Sequence, residues 1–155
     1  MNVIFLDIDG VLNCTTTQDK CGNYVGIEDA KLSELKRIVE KTGAKIVLIS
    51  TWKQDWEKGK NRGFMADYLD EKFEAQGLFV YDKTKNKTEG IYLSRGEGII
   101  DYIISHNLQN YVILDDCQFD YDSCNITDKF VKTDLETGLT KALADKAIEI
   151  LSGKK

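Results

Sequence analysis

Short apolar runs alternate with stretches of helical periodicity along almost the whole chain, and few folds satisfy that alternation. Residues 3–6, 45–50, 78–81, 111–114 and 130–132 are short, rich in β-branched or aromatic side chains and bounded by polar turns, which suits strands covered on both faces. Between them, Leu32, Leu35 and Val39 line one helix face before Gly43, and Phe64, Tyr68, Leu69 and Phe73 line another before Gly77. Both glycines stand where a helix C-terminus favours one. Ile99, Ile103 and Ile104 mark a third helix, and Leu143, Ala147, Ile150 and Leu151 a fourth that Thr140 is placed to cap. The alternation predicts an α/β fold with a Rossmann-like, five-stranded, mainly parallel sheet sandwiched by helices through right-handed crossovers. With 155 residues, no repeat and no Gly/Ser linker, the chain is expected to form one domain over 1–155.

Composition narrows the setting. The chain is 42% hydrophobic and 30% charged, and its longest apolar runs, 46–49 and 111–114, fall far below the roughly 18 residues of a membrane span. The opening run lacks a basic stretch and meets an acid after four apolar residues, so no secretory leader is expected. The expected setting is the cytoplasm, where four cysteines would remain thiols. A net charge of −5 argues against sequence-blind nucleic-acid binding. Two cationic clusters still stand out, Lys53, Lys58, Lys60 and Arg62, and then Lys83, Lys85 and Lys87, although a solvated face is the plainer reading of each.

Ligands of parallel sheets bind beyond the carboxyl ends of the strands, at the switch in strand order. The residues that follow the strands are Asp7, then Ser50 and Thr51, then Asp115 and Asp116: acids and hydroxyls, with no glycine-rich loop among them. The first strand runs into Asp7-Ile8-Asp9-Gly10, and extended geometry through Ile8 turns both carboxylates to one side. Like charges that close resist joint ionisation, so either one carboxyl keeps its proton and serves as an acid, or a divalent cation holds them. A hard cation such as Mg2+ takes one or two carboxylates together with waters and substrate phosphate, a supply that Asp7 and Asp116 offer. The hydroxyls of Ser50 and Thr51 suit phosphate oxygens. Arg95, just before the third helix, offers a guanidinium that grips phosphate in a defined geometry.

With these residues in place the sequence resembles the haloacid dehalogenase (HAD) superfamily of aspartate-based phosphotransferases. Residues 7–13 look like its first motif, 46–51 like its second, and 112–116 with Asp120 like its fourth. The run Ser50-Thr51-Trp52-Lys53, the Arg95-Gly96-Glu97 helix start, Thr133-Asp134 and Gly138-Leu139-Thr140 are similar to the small HAD domains of multi-domain RNA-repair proteins. The resemblance implies a Mg2+-dependent phosphatase with Asp7 as nucleophile and Asp9 as general acid and base. It implies Ser50 and Thr51 on the phosphoryl group, and a metal site built from Asp7, Asp9 and Asp116 with Asp115 or Asp120 in support. For the third-motif cation, Arg95 is favoured because it directly precedes a helix; Lys83, Lys85 and Lys87 remain open. A phosphate-binding or regulatory module with little turnover is the competing reading.

The intervals where such enzymes carry a cap, 13–26 with the next helix and 52–94, leave no room for one, so an open site is expected. Selectivity then falls to a rim of Trp52, Lys53 and Asp120, with Trp56 beside it for stacking and Lys58, Lys60 and Arg62 for neighbouring phosphates, or to a partner protein in place of a cap; core packing is the alternative reading of both tryptophans. The expected ligand is a phosphorylated small molecule or a nucleic-acid end, with no membrane. Cys14/Cys21 and Cys117/Cys124 are spaced wider than zinc sites usually use, so free thiols are favoured over a zinc clip. His106 reads as a surface residue late in the third helix.

Overall fold

A computed structural model describes residues 1–59 and 62–153. In chain order the elements are β1 (Asn2–Leu6), β2 (Lys20–Cys21), β3 (Tyr24–Val25), α1 (Asp29–Thr42), β4 (Lys45–Leu48), α2 (Phe64–Ala75), β5 (Val80–Lys83), β6 (Lys87–Thr88), β7 (Ile91–Tyr92), α3 (Arg95–Ser105), β8 (Asn110–Asp115), β9 (Phe130–Lys132) and α4 (Lys141–Leu151). Five strands form one sheet in the order β5-β4-β1-β8-β9, and every neighbouring pair is parallel. The chain therefore winds outward from β1 through β4 to β5, then crosses back to β8 on the other side of β1. The switch in strand order lies between β1 and β8, whose carboxyl ends deliver Asp7 and Asp115-Asp116.

Side chains alternate across this sheet, as a strand demands. Ile4 and Leu6 pack on one face with Leu32, Leu35 and Ile38 of α1, Leu69 and Phe73 of α2, and Ala144, Ala147 and Leu151 of α4. Val3 and Phe5 pack on the other with Ile99 and Tyr102 of α3 and with Tyr121. Both faces are covered, which is why the strands are continuously apolar.

Several boundaries differ from the sequence pattern, each for a local reason. β5 starts two residues later than expected because the Leu78 amide bonds the Phe73 carbonyl at 2.9 Å and so closes the end of α2. β4 stops at Leu48, since Ser50 caps a short 3-10 turn over Thr51–Lys53. On α3 the buried partner of Ile99 is Tyr102, while Ile104 is 74% exposed. Two antiparallel hairpins, β2–β3 and β6–β7, occupy segments that read as loops. Strands of two residues are too short to show alternation; the tight turn of the second, Glu89-Gly90, has both residues at positive φ, as a type I′ two-residue hairpin turn requires. The segments between β1 and β4 and between β4 and α3 hold these hairpins with α1, α2 and β5, so no cap is inserted. Among the described residues no helix is long and apolar enough to cross a membrane.

Candidate active site

The parallel ladder continues one residue past β1, where the Asp7 amide bonds the Leu114 carbonyl at 2.9 Å. That bond aligns Asp7 with the end of β8, so residues more than a hundred positions apart share one volume. Asp7, Asp115 and Asp116 offer carboxylate oxygens that all lie within 4.8 Å of one another. Asp7 is 6% exposed and Asp115 wholly buried. Opposing them is one guanidinium: Arg95 Nη1 lies 3.3 Å from Asp7 Oδ1 and 2.9 Å from Asp115 Oδ2. Burial raises the Asp7 pKa well above the ordinary carboxylate range, Asp115 raises it further, and Arg95 opposes both. Three acids against one cation in a buried space leave an excess of negative charge, and a donor set made only of oxygen suits a hard divalent cation. The four cysteines are free thiols and none belongs to this group.

The three acids are not equivalent. Asp115 is fully engaged: Oδ2 accepts from Arg95 and from the Tyr121 hydroxyl at 2.6 Å, and Oδ1 accepts from the Cys117 amide at 3.1 Å. Asp116 is half-buried and packs against Gly10. A Cβ added at Gly10 would stand 2.3 Å from Asp116 Oδ2, and Gly10 has φ +82°, so only glycine allows the first loop to pass this close.

Asp9, expected to join the metal group, stands outside it and is exposed. Its Oδ1 accepts from Asn13 Nδ2 at 3.0 Å and its Oδ2 from Trp52 Nε1 at 3.2 Å. Trp52, expected at the rim, is 4% exposed, and its indole N–H is spent on Asp9. Trp56 is equally buried and donates to Asp70. Both tryptophans are core residues, not exposed rim residues. Arg62 is folded over Trp56 and paired with Asp70, Lys58 lies over the Tyr81 ring, and Lys60 falls outside the described residues. The cationic rim expected from this cluster is therefore not assembled by the residues described.

Ser50 is buried and its Oγ accepts from the Trp52 amide at 3.2 Å, which leaves the hydroxyl proton to donate. Ser50, Thr51, Lys53, Lys85 and Arg95 line a shared cavity of about 150 Å³. Lys53, expected at the rim, is 8% exposed, and its amine donates to Thr84 Oγ1 at 2.7 Å. Among the described residues no carboxylate pairs with it, an unusual state for a buried cation. Burial lowers its pKa to about 8, with Arg95 and Lys83 adding to the effect. Of the other third-motif candidates, Lys83 is held by the Lys53 carbonyl and Glu57, and Lys87 lies over the Tyr92 ring.

Residues 3–144 match the family described as "HAD domain in Swiss Army Knife RNA repair proteins". The chain belongs to this family. Neither a curated protein nor a solved structure matches it. Membership brings the phosphatase-like chemistry general to HAD domains, and the match runs from β1 into α4.

Several residues of this HAD domain that the sequence marks only by resemblance, together with Phe119, take supporting contacts that the sequence alone does not reveal. Asp120, expected at the rim or beside the metal, instead anchors the start of α3: it accepts from the Ser94 hydroxyl and from the Gly96 amide at 2.9 Å. That contact needs Gly96, where a Cβ would lie 2.7 Å from Asp120 Oδ1. Partial burial raises the Asp120 carboxyl, but the bonds from Ser94, Gly96 and Cys124 hold it below its usual value. Phe119, at positive φ, lays its ring 4.2 Å from the Arg95 guanidinium. Thr133 donates to the Gly10 carbonyl at 2.6 Å, and the Leu139 amide bonds Val11, so the late Thr133 and Gly138-Leu139 segment clamps the first loop.

Proposed function

We propose that this HAD domain is a Mg2+-dependent phosphomonoester hydrolase that works through an aspartyl phosphate on Asp7. The observation that carries the reading is the convergence of Asp7, Asp115 and Asp116 on Arg95 at the strand-order switch, beside a small cavity lined by Ser50 and Lys53. Asp7 and Asp116 would hold Mg2+, since Asp115 is already committed to Arg95, Tyr121 and Cys117. Bound there, the ion would neutralise phosphoryl oxygens and keep Asp7 ionised.

An Asp7 carboxylate oxygen attacks phosphorus, the bond to the leaving oxygen breaks, and Asp9 gives that oxygen its proton. Water then attacks the same phosphorus while Asp9 takes its proton, and phosphate leaves as the bond to Asp7 breaks. Trp52 and Asn13 hold the two oxygens of Asp9 in place for both transfers. Ser50, Arg95 and Lys53 take the non-bridging oxygens, where most of the stabilisation arises. The family description and the open, capless site support a nucleotide or polynucleotide end phosphate as substrate, with a partner protein in place of a cap.

The leaving group tests this division of roles. Asp9→Asn should lower kcat/KM for an alkyl phosphate by about 10²- to 10⁴-fold, and much less for nitrophenyl phosphate, whose oxide needs no proton. Equal losses on both esters would contradict the acid role.

Lys53 gives a pH signature. Below about pH 8 its amine is charged and grips the phosphoryl group; above it the charge is lost. Wild-type kcat/KM is therefore expected to fall as pH rises through about 8, and Lys53→Met should remove that limb while lowering kcat/KM about tenfold at neutral pH. An unchanged limb in the variant would exclude Lys53 as its source.

A further inference from the structure

We propose that the cavity beside Asp9 is the leaving-group pocket and that it is shaped for one nucleoside carrying a single phosphate. This rests on the hydrolase reading above and narrows its substrate. The cavity measures about 400 Å³ and is lined by Asp9 with Tyr24, Trp52, Gln54, Asp55 and Met65. It adjoins the cavity of Ser50 and Arg95, because Thr51 and Gln54 line both. In an in-line displacement the leaving oxygen departs opposite Asp7 and meets its proton on Asp9, so the body of the ester lies where Asp9 forms a wall. A larger cavity of about 570 Å³ carries Lys53, Lys83, Lys85 and Lys87, but Asp9 does not line it.

The chemistry of the walls selects the occupant. Its volume lies within the range of about 300–1,000 Å³ that takes drug-sized ligands. Tyr24, on the β2–β3 hairpin, is 59% exposed and Met65 stands on α2; an aromatic face and a thioether together suit a flat ring. Gln54 and Asp55 offer an amide and a carboxylate to ring nitrogens or ribose hydroxyls. Among the described lining residues there are two carboxylates and no lysine or arginine, so a second phosphate on the same nucleoside is repelled.

The test compares kcat/KM of the full chain with Mg2+ for adenosine 3′- and 5′-monophosphate, adenosine 3′,5′-bisphosphate, ribose 5-phosphate and acetyl phosphate. One nucleoside monophosphate should exceed ribose 5-phosphate by about tenfold or more, the gain that stacking one base supplies. The bisphosphate should fall below the better monophosphate. Tyr24→Ala should erase most of the base preference, and Asp55→Lys should raise the bisphosphate relative to the monophosphate. Saturation-transfer NMR with adenosine alone reads the pocket without chemistry, and its signal should weaken in Tyr24→Ala. A ribose 5-phosphate constant equal to that of the nucleotides, or adenosine binding indifferent to Tyr24→Ala, overturns the pocket while turnover of acetyl phosphate leaves the hydrolase standing. Tyr24-dependent adenosine binding without turnover of any of the esters overturns the hydrolase and leaves a nucleoside site.

Discussion

Asp7→Asn is expected to lower turnover of every phosphate ester by at least about 10⁴-fold, because the amide oxygen cannot form the covalent intermediate. The loss should not reflect unfolding. Three carboxylates crowd within 4.8 Å around one guanidinium, and burial together with Asp115 already opposes the ionisation of Asp7, so a neutral amide in its place suits the metal-free protein. The melting temperature of Asp7→Asn without divalent ions should equal or exceed that of the wild type. A variant that keeps near-wild-type turnover would show that the nucleophile lies elsewhere.

Gly10→Ala is the second large effect, and it comes from a residue with no chemistry of its own. Its Cβ would meet Asp116 Oδ2 at 2.3 Å and Cγ at 2.5 Å, on a backbone at φ +82° that disfavours any side chain. The clash moves Asp116 by about an ångström, and a shift of that size in a reacting constellation costs about 10²-fold. Turnover should fall by about that factor with a higher Mg2+ requirement, and backbone strain should cost about 1–3 kcal/mol of stability. Activity titrated against Mg2+, together with thermal unfolding, checks both parts. A variant with wild-type Mg2+ dependence would mean that Asp116 does not hold the ion.

What could be read in the sequence follows the distance over which each feature is decided. The sheet was legible because strand runs and helix periodicities are local patterns, and the placement of Asp7 beside Asp115 and Asp116 follows once β1 and β8 are parallel neighbours. The surroundings of those acids were not. The contacts of Trp52 with Asp9 and Thr133 with Gly10 join positions 43 and 123 residues apart, and nothing in either local stretch announces them. Lys53 illustrates the limit: by residue type it belongs on a solvated rim, yet the 3-10 turn that Ser50 caps rotates it into the interior against Thr84. Asp120 is the converse case, an acid near an acid pair whose bonds go to a helix start. Residue type points to candidate groups, while hydrogen-bond geometry shows which of them are already engaged.

Acid quenching of the enzyme during turnover with Mg2+ and a phosphate-labelled ester, followed by borohydride reduction and peptide mass spectrometry, examines the covalent step itself. Borohydride converts an aspartyl phosphate to homoserine, so reduction should place homoserine at position 7 and nowhere else, with no such product in Asp7→Asn. Phosphate release at full rate with residue 7 recovered as unmodified aspartate at every quench time would contradict a mechanism through Asp7.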